Sequence, residues 1–267
     1  PRVMIMGGGY AGLAALITLR ERRPDAEITL VDPRDHHLKV THLHESFRRP
    51  LADMRLPFER LARRFDVRHV QAALDYDEQA LGEWSAAGRI EMPGEALEFD
   101  YLLWATGTGY RKLKQGKFSL DLADFSQTPG PELLAGHLSA TDETEPFITV
   151  VGSGATGIQF LFEIAHYSRV QRLPWQLRLV DSGDAPLSQF NPKLGHYVEA
   201  RMQDAGIEYV PHHYFKSQSG AAIELENQET GEILTLPSRL TLLFVGMNAD
   251  RRITTNVFGQ VRVAGKT

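Results

Sequence analysis

Two glycine-rich hexapeptides, each followed later by an aspartate, are the part of this sequence with the clearest chemistry. The first hexapeptide is Gly7-Gly8-Gly9-Tyr10-Ala11-Gly12, and the second is Gly152-Ser153-Gly154-Ala155-Thr156-Gly157. In the pattern G-x-G-x-x-G the first glycine permits a tight turn, the second lets the backbone approach a diphosphate, and the third lets a helix pack on a strand. Each hexapeptide therefore predicts a diphosphate site at a helix N-terminus.

The segments around both hexapeptides have the strand, helix and strand pattern that this chemistry requires. Apolar runs at residues 3–6 and 148–151 precede the glycines, and helical apolar spacing follows them. A second strand then alternates apolar residues and ends in an acid, which is Asp32 in the first copy and Asp181 in the second. A carboxylate at this position accepts hydrogen bonds from a ribose, so both copies predict binding of a dinucleotide.

The similarity between the two copies extends well beyond the hexapeptides. Each copy continues through another helix and strand, a hairpin that turns at Gly94 or near Gly231, and a closing apolar strand at residues 101–104 or 242–245. An internal repeat of this kind fixes the architecture more firmly than one motif does. We therefore predict an α/β protein with two Rossmann-like domains, joined by a stretch at residues 109–146 that is richer in Gly, Pro and Ser.

Composition narrows the function classes. The 267 residues are 42% hydrophobic and 24% charged with a net charge of −5, values of an ordinary globular protein without a field that attracts nucleic acid. The chain has no cysteine, which excludes thiolate metal sites and a redox-active cysteine pair. No signal peptide or membrane span is evident, because the apolar run at residues 11–19 ends at charged residues; we expect a cytoplasmic protein.

These motifs, together with Ala105-Thr106-Gly107 and Gly246, resemble in their order the two-dinucleotide-binding-domain flavoproteins of the pyridine nucleotide-disulfide oxidoreductase superfamily. The resemblance spans nearly the whole chain. Within the superfamily, residues 32–38 and 179–194 are most similar to type II NADH:quinone oxidoreductases. The resemblance implies that the second Rossmann-like FAD/NAD(P)-binding domain is inserted in the first, and that a C-terminal domain is absent.

The domain limits expected on this basis are residues 1–112 for the first part of an FAD-binding domain, 113–250 for an NADH-binding domain, and 251–267 for a truncated return to the FAD-binding domain. The residues expected to bind FAD are Gly7, Gly9, Tyr10, Ala11, Gly12, Asp32, Thr106 and Gly107. Those expected to bind NADH are Gly152, Gly154, Ala155, Thr156, Gly157, Asp181 and Gly246. Because Asp181 repels a 2′-phosphate and residues 182–184 contain no arginine, the sequence favours NADH over NADPH.

The implied activity is transfer of hydride from NADH to FAD and of electrons from FAD to a quinone, as in an FAD-dependent NADH dehydrogenase. Gln159 occupies the place where the family usually has Glu, and it is the candidate catalytic residue beside the stacked rings. The resemblance also implies a homodimer and peripheral contact with the inner face of the membrane, both through the absent C-terminal region.

Two other functions remain open from the residues. One is an NADH-dependent reductase of a small iron–sulfur protein, and the other is a non-enzymatic NADH-sensing module that has lost its flavin. The histidines at positions 36, 37, 42 and 44 could suggest a metal, with His42 and His44 on one strand face. They lack the ligand spacing of a zinc site, so we interpret them as part of a cofactor-facing loop and predict no metal.

Overall fold

The computed structural model describes residues 1–110, 113, 116–138, 146–248 and 260, and the contacts between its residues divide the chain into two compact units. The first unit contains Pro1–Leu38, Arg55–Gly109 and the described residues from Met247 onward. The second contains Lys39–Met54 and the described part of Tyr110–Gly246. Apart from Gln260, the predicted return of residues 251–267 lies outside the described residues, and the predicted domain limits stay a prediction.

The first unit is built on a four-stranded parallel sheet. Its elements, in chain order, are β1 (Arg2–Met6), α1 (Tyr10–Arg22), β2 (Glu27–Asp32), β3 (His36–Leu38), β4 (Arg55–Pro57), α2 (Phe58–Phe65), β5 (Arg68–Gln71), α3 (Glu78–Ala87), β6 (Arg89–Met92), β7 (Glu95–Glu98) and β8 (Tyr101–Trp104).

Strand order in this sheet is β5-β2-β1-β8, and β1 pairs in parallel with both β2 and β8. The apolar run in β1 is buried because packed side chains cover both faces of the sheet. Ile5 on one face belongs to a core with Leu16 of α1 and Phe58 of α2, whereas Met4 faces a second core with Ile90 of β6. The predicted hairpin at Gly94 is the antiparallel pair β6 and β7.

The second unit repeats this plan with a five-stranded parallel sheet. Its strands and α-helices are β10 (Ser119–Asp121), α4 (Leu122–Gln127), α5 (Gly130–His137), β11 (Phe147–Val151), α6 (Ala155–Gln171), β12 (Gln176–Val180), α7 (Pro192–Asp204), β13 (Glu208–Val210), β14 (His213–Ser219), β15 (Ala222–Asn227), β16 (Ile233–Pro237) and β17 (Leu240–Leu243). Short 3-10 helices cover Val40–Phe47, Leu51–Met54 and Gly116–Phe118. The short strands β9 (Gly109–Tyr110) and β18 (Met247–Asn248) form a two-stranded sheet.

Strand order in the second parallel sheet is β10-β17-β11-β12-β13. The antiparallel strands β14, β15 and β16 form a separate sheet that contains the predicted hairpin near Gly231. Ile223 and Leu225 of β15 are fully buried in one core with Val151 and Val180 of the parallel sheet. The antiparallel sheet therefore covers one end of the parallel sheet, where β11 and β12 finish.

The predicted fold class is confirmed, because both repeats form parallel sheets with a glycine turn between the first strand and the first helix. Within the described residues, the stretch 109–146 between the two repeats supplies β10, α4 and α5 to the second unit. Two local expectations were wrong. The closing strand β17 begins at Leu240, two residues before the expected start. His42 and His44 lie in a 3-10 helix and not on a strand face.

Candidate nucleotide-binding sites

The first glycine turn joins β1 to α1 and leaves no room for most side chains. Gly7 has a φ of +101°, and a Cβ there would lie 2.3 Å from the Ala105 carbonyl oxygen. A Cβ on Gly12 would lie 1.8 Å from the Gly7 carbonyl oxygen. Packing of the unit itself therefore requires glycine at both positions.

Gly9 differs from Gly7 and Gly12 because no packing contact with the described residues requires a glycine there. A Cβ on Gly9 would meet no described atom within 4 Å, and its φ of −74° is open to any residue. Gly9 is also the N-cap of α1, without a side chain that hydrogen-bonds the helix amides. The first turn of a helix has unpaired N–H groups, so the bare turn offers amides to a bound anion.

Gly8 is a further residue of this turn that the sequence analysis did not single out. A Cβ on Gly8 would lie 2.1 Å from Cζ of the Phe58 ring, so α2 packs directly under the turn. The buried His37 donates a hydrogen bond from Nδ1 to the Gly8 carbonyl oxygen at 2.9 Å, and its ring meets Tyr10 edge-on. These contacts of Phe58 and His37 hold the turn in place at Gly8.

Asp32 lies at the end of β2 with only 2% of its surface exposed. Its Oδ2 accepts the Gly8 amide at 2.7 Å, and its Oδ1 accepts the Arg34 amide at 2.9 Å. The Arg34 side chain adds hydrogen bonds to both oxygens, at 2.9 Å and 3.0 Å. Burial alone would raise the pKa of Asp32, but the hydrogen bonds from Arg34 and Gly8 outweigh it and lower this pKa below its usual value.

A cavity of about 390 Å³ in the first unit is lined by Gly7, Asp32, Arg34, Tyr76 and Thr106, with Ala72 to Leu74 along one wall. Tyr76 and Thr106 share a hydrogen bond of 2.7 Å between their hydroxyl groups. Gly107, the residue after Thr106, has a φ of +83°. The cavity lies at the carboxyl ends of the strands, where open α/β sheets bind their ligands.

The second glycine turn joins β11 to α6 with the same geometry. Gly152 has a φ of +105°, and a Cβ there would lie 2.4 Å from the Phe244 carbonyl oxygen. A Cβ on Gly157 would lie 1.8 Å from the Gly152 carbonyl oxygen, as at the corresponding glycine of the first unit. Gly154 is again the uncapped N-cap of its helix, and a Cβ there would make only an ordinary 3.7 Å contact with Gln189.

Asp181 repeats the role of the strand-end acid in the second unit. Its Oδ2 accepts the Ser153 amide at 2.6 Å, and its Oδ1 accepts the Gly183 amide at 2.7 Å. Within the described part of the chain, no lysine or arginine forms an ion pair with Asp181. Its carboxylate therefore has two backbone donors and keeps further acceptor capacity.

A cavity of about 310 Å³ in the second unit is lined by Gly152, Gly154, Asp181, Tyr214 and Gly246, among others. Gly246 has a φ of +86°, which corresponds to Gly107 of the first unit. Of the other predicted residues, Tyr10, Ala11 and Ala155 are exposed and Thr156 is half-buried, each in the first turn of its helix. The structure thus brings the predicted residues of each unit to one turn and one cavity.

Gln159 is the fifth residue of α6, and its side chain is exposed. Its catalytic role stays a prediction. The four histidines are divided between the units: His36 and His37 belong to the first, and His42 and His44 to the second. Across the residues that the structure describes, no group of three or more His, Asp or Glu side chains could hold a metal ion.

The sequence matches the family described as pyridine nucleotide-disulphide oxidoreductase over residues 1–264. The chain therefore belongs to this family, and the predicted family is confirmed. The family is one of oxidoreductases, and membership implies FAD and NAD(H) as the cofactors.

Two curated relatives are type II NADH:quinone oxidoreductases from staphylococci. The protein of Staphylococcus saprophyticus is 23% identical over an alignment of length 229, and the match covers 78% of this chain and 56% of the relative. The protein of Staphylococcus aureus strain NCTC 8325 is 24% identical over an alignment of length 231, with the same shares covered, 78% and 56%. The chain thus spans little more than half the length of these relatives.

Solved structures of low sequence identity share the fold. Sulfide:quinone oxidoreductase from Aquifex aeolicus has a TM-score of 0.74 and 18% identity, and the match covers 93% of this chain and 58% of that one. NDH2 from Plasmodium falciparum in complex with NADH has a TM-score of 0.73 and 14% identity, with 93% and 55% covered. Among the helices that the structure describes, none has both the length and the apolar composition needed to cross a bilayer.

Proposed function

We propose that the protein is an FAD-dependent NADH dehydrogenase that passes electrons to a quinone. One observation carries the proposal: each unit contains the same glycine turn, uncapped helix and strand-end aspartate beside a cavity of its own. Two such sites suit two dinucleotides, and the family implies that these are FAD and NAD(H).

The residues of the first unit fit FAD. No described atom lies within 4 Å of a Cβ built on Gly9, so a diphosphate could approach the backbone amides at the start of α1. The cavity beside the turn extends past Asp32 along Ala72 to Leu74, which gives an adenosine both a polar and an apolar wall. The residues that would hold FAD are Gly7, Gly9, Tyr10, Ala11, Gly12, Asp32, Thr106 and Gly107.

The residues of the second unit fit NADH in the same way. Asp181 has acceptor capacity for the two ribose hydroxyls, and among the described residues no lysine or arginine lines the cavity beside it, where a 2′-phosphate would lie. The residues that would hold NADH are Gly152, Gly154, Ala155, Thr156, Gly157, Asp181 and Gly246.

Bound FAD would supply the redox chemistry by accepting a hydride from NADH and releasing electrons to an acceptor. The task of the protein residues is to bind and orient. The amides at the two helix N-termini would hold the diphosphates, while Asp32 and Asp181 would hold the riboses. Gln159 is exposed near the start of α6. Its side-chain amide can form hydrogen bonds but does not exchange a proton. We therefore propose that Gln159 positions the nicotinamide ring.

The two curated relatives are named type II NADH:quinone oxidoreductases, and this supports a quinone as the electron acceptor. The predicted homodimer and the predicted peripheral membrane contact are not needed for the proposal and stay predictions.

Anaerobic addition of NADH to the purified protein tests the proposal. We expect flavin absorbance that is lost on addition, and reoxidation by menadione or a ubiquinone analogue. Turnover with ferredoxin or rubredoxin but not with quinone would show that the electron acceptor is an iron–sulfur protein. A colourless protein that binds NADH and cannot be reconstituted with FAD would support the sensing module and contradict the proposal.

A further inference from the structure

The two strand-end aspartates differ in what their carboxylates already bind. Among the described residues, Asp181 accepts hydrogen bonds from two backbone amides only, those of Ser153 and Gly183. Asp32 accepts two backbone amides and, in addition, two N–H groups of the Arg34 guanidinium. The backbone around the two acids is the same, so the difference comes from one side chain.

A carboxylate has about four lone-pair positions, and Asp32 has a donor at each of them. Oδ1 accepts the amide and Nε of Arg34, both at 2.9 Å, and Oδ2 accepts the Gly8 amide at 2.7 Å and Nη2 of Arg34 at 3.0 Å. A ribose that donates two hydroxyls to Asp32 would need the positions that Nε and Nη2 occupy. The guanidinium and the ribose therefore cannot both make these contacts.

We propose that Arg34 competes with the adenosine ribose of FAD for Asp32, and that this competition limits the affinity of the first site for FAD. The inference rests on the proposed function, since it takes FAD as the ligand of the first unit. Hydrogen bonds between a guanidinium and a carboxylate are stronger than those from a neutral hydroxyl, so displacing Arg34 has a cost.

The surroundings of Arg34 allow the displacement. Its side chain is 43% exposed and lines the cavity beside the turn, whereas the side chain of Asp32 is 3% exposed. The guanidinium can therefore move into solvent while Asp32 stays in place. The Gly8 and Arg34 amides continue to bind Asp32, so its carboxylate remains charged and oriented toward the ribose.

The experiment measures the dissociation constant of FAD for the flavin-free protein by flavin fluorescence. Arg34→Ala should bind FAD about fivefold to tenfold more tightly, up to ~1.4 kcal/mol. Arg34→Lys, which keeps the charge without the two-pronged contact, should tighten binding less. The matched control is Arg23→Ala, because Arg23 makes the same two-pronged contact with Asp25, two residues away, on the exposed surface of the same unit.

The affinity for FMN, which lacks the adenosine, distinguishes competition for the ribose from a general change in the first unit. The affinity for FMN should be the same in wild type and Arg34→Ala. Weaker or unchanged FAD binding by Arg34→Ala, or an equal gain for FMN, would overturn the inference while the proposed function stands. If FAD binds to none of the proteins, wild type included, the proposed function fails and the inference fails with it.

Discussion

At the scale of residues, each glycine turn combines positions that the fold requires with one position that it does not. Gly7 and Gly12 are fixed by backbone contacts of the unit itself, as are Gly152 and Gly157 in the second unit. At Gly9, no described atom lies within 4 Å of the place that a Cβ would occupy. We therefore propose that the missing side chain at Gly9 serves ligand access.

This distinction predicts opposite effects for two alanine substitutions in one turn. Gly9→Ala should cost only about 1 kcal/mol of stability, since alanine is a poorer N-cap than glycine. It should nevertheless weaken FAD binding about tenfold or more, because the methyl group enters the path of the diphosphate. Gly12→Ala should destabilise the unit by about 3 kcal/mol through overpacking. Thermal unfolding and FAD titration measure both effects; loss of folding in Gly9→Ala would contradict the assignment.

A second prediction concerns the choice between NADH and NADPH. Asp181 is without a cationic partner in the described residues, so it should repel a 2′-phosphate. We expect kcat/KM to be at least about tenfold higher for NADH than for NADPH, a difference of ~1.4 kcal/mol. Asp181→Asn should lower kcat/KM for NADH and reduce the ratio of kcat/KM for NADH to that for NADPH, because it removes the negative charge but keeps an acceptor. Preference of the wild-type protein for NADPH would refute the assignment.

At the scale of elements, the segment Lys39–Met54 belongs by its contacts to the second unit, although it interrupts the first unit in the chain. Phe47, in the 3-10 helix of this segment, is 6% exposed and packs against Phe125 and Tyr167. The ring of Phe47 also fills the space beside Gly130, where a Cβ would lie 2.3 Å from it. The segment is therefore part of the packed core of the second unit.

Phe47→Ala should consequently destabilise the second unit by about 3–5 kcal/mol, the usual cost of emptying a buried phenylalanine site. Phe190→Ala is the matched control, because Phe190 is 49% exposed and should change stability by less than about 0.5 kcal/mol. The two variants would be compared by urea unfolding. Equal stability of both would mean that the segment Lys39–Met54 does not pack in this core.

Neither this segment nor β10 could be predicted from the sequence, and the physical reason is the same for both. The strands β1 and β11 and the helices after them have apolar patterns long enough to identify locally. Ser119–Asp121 has only three residues, and its role as an edge strand depends on β17, far along the chain. The contact of Arg34 with Asp32 likewise depends on how the loop after β2 folds.

The same segment makes stability depend on pH through His44. Burial lowers the pKa of His44, and the charges of Arg48 and His42 lower it further, whereas Glu163 and Glu45 act in the opposite direction. Because the folded-state pKa lies below the unfolded value, the unfolded chain binds the proton more readily. Stability should therefore be full above the unfolded pKa of about 6.5 and fall as pH decreases through it.

His44→Gln should reduce this loss of stability between pH 7.5 and pH 5.5, since glutamine does not titrate. His166→Gln is the control on an exposed residue of α6. Unfolding in urea at both pH values measures the effect, and an identical pH dependence in wild type and His44→Gln would exclude the role of His44.

At the scale of the whole molecule, the chain carries the same nucleotide-binding plan twice, with each site formed inside one compact unit. The turn of each unit packs against the residue that follows the closing strand of that unit, Ala105 in the first and Phe244 in the second. Binding at each proposed site should thus depend on local contacts of its own unit, while the proposed hydride transfer would need both sites.

Substitutions at the two open glycines should therefore separate the two cofactors. Gly154→Ala should keep bound FAD and the flavin absorbance, and its flavin should still be reduced by dithionite. Its affinity for NADH should fall about tenfold or more. Gly9→Ala should bind FAD about tenfold or more weakly but keep its affinity for NADH, measured by fluorescence of the bound nicotinamide. Gly136→Ala, on an open face of α5, is the control and should change neither. Loss of both cofactors in either variant would show that the two units do not bind independently, and would contradict the assignment of one dinucleotide to each turn.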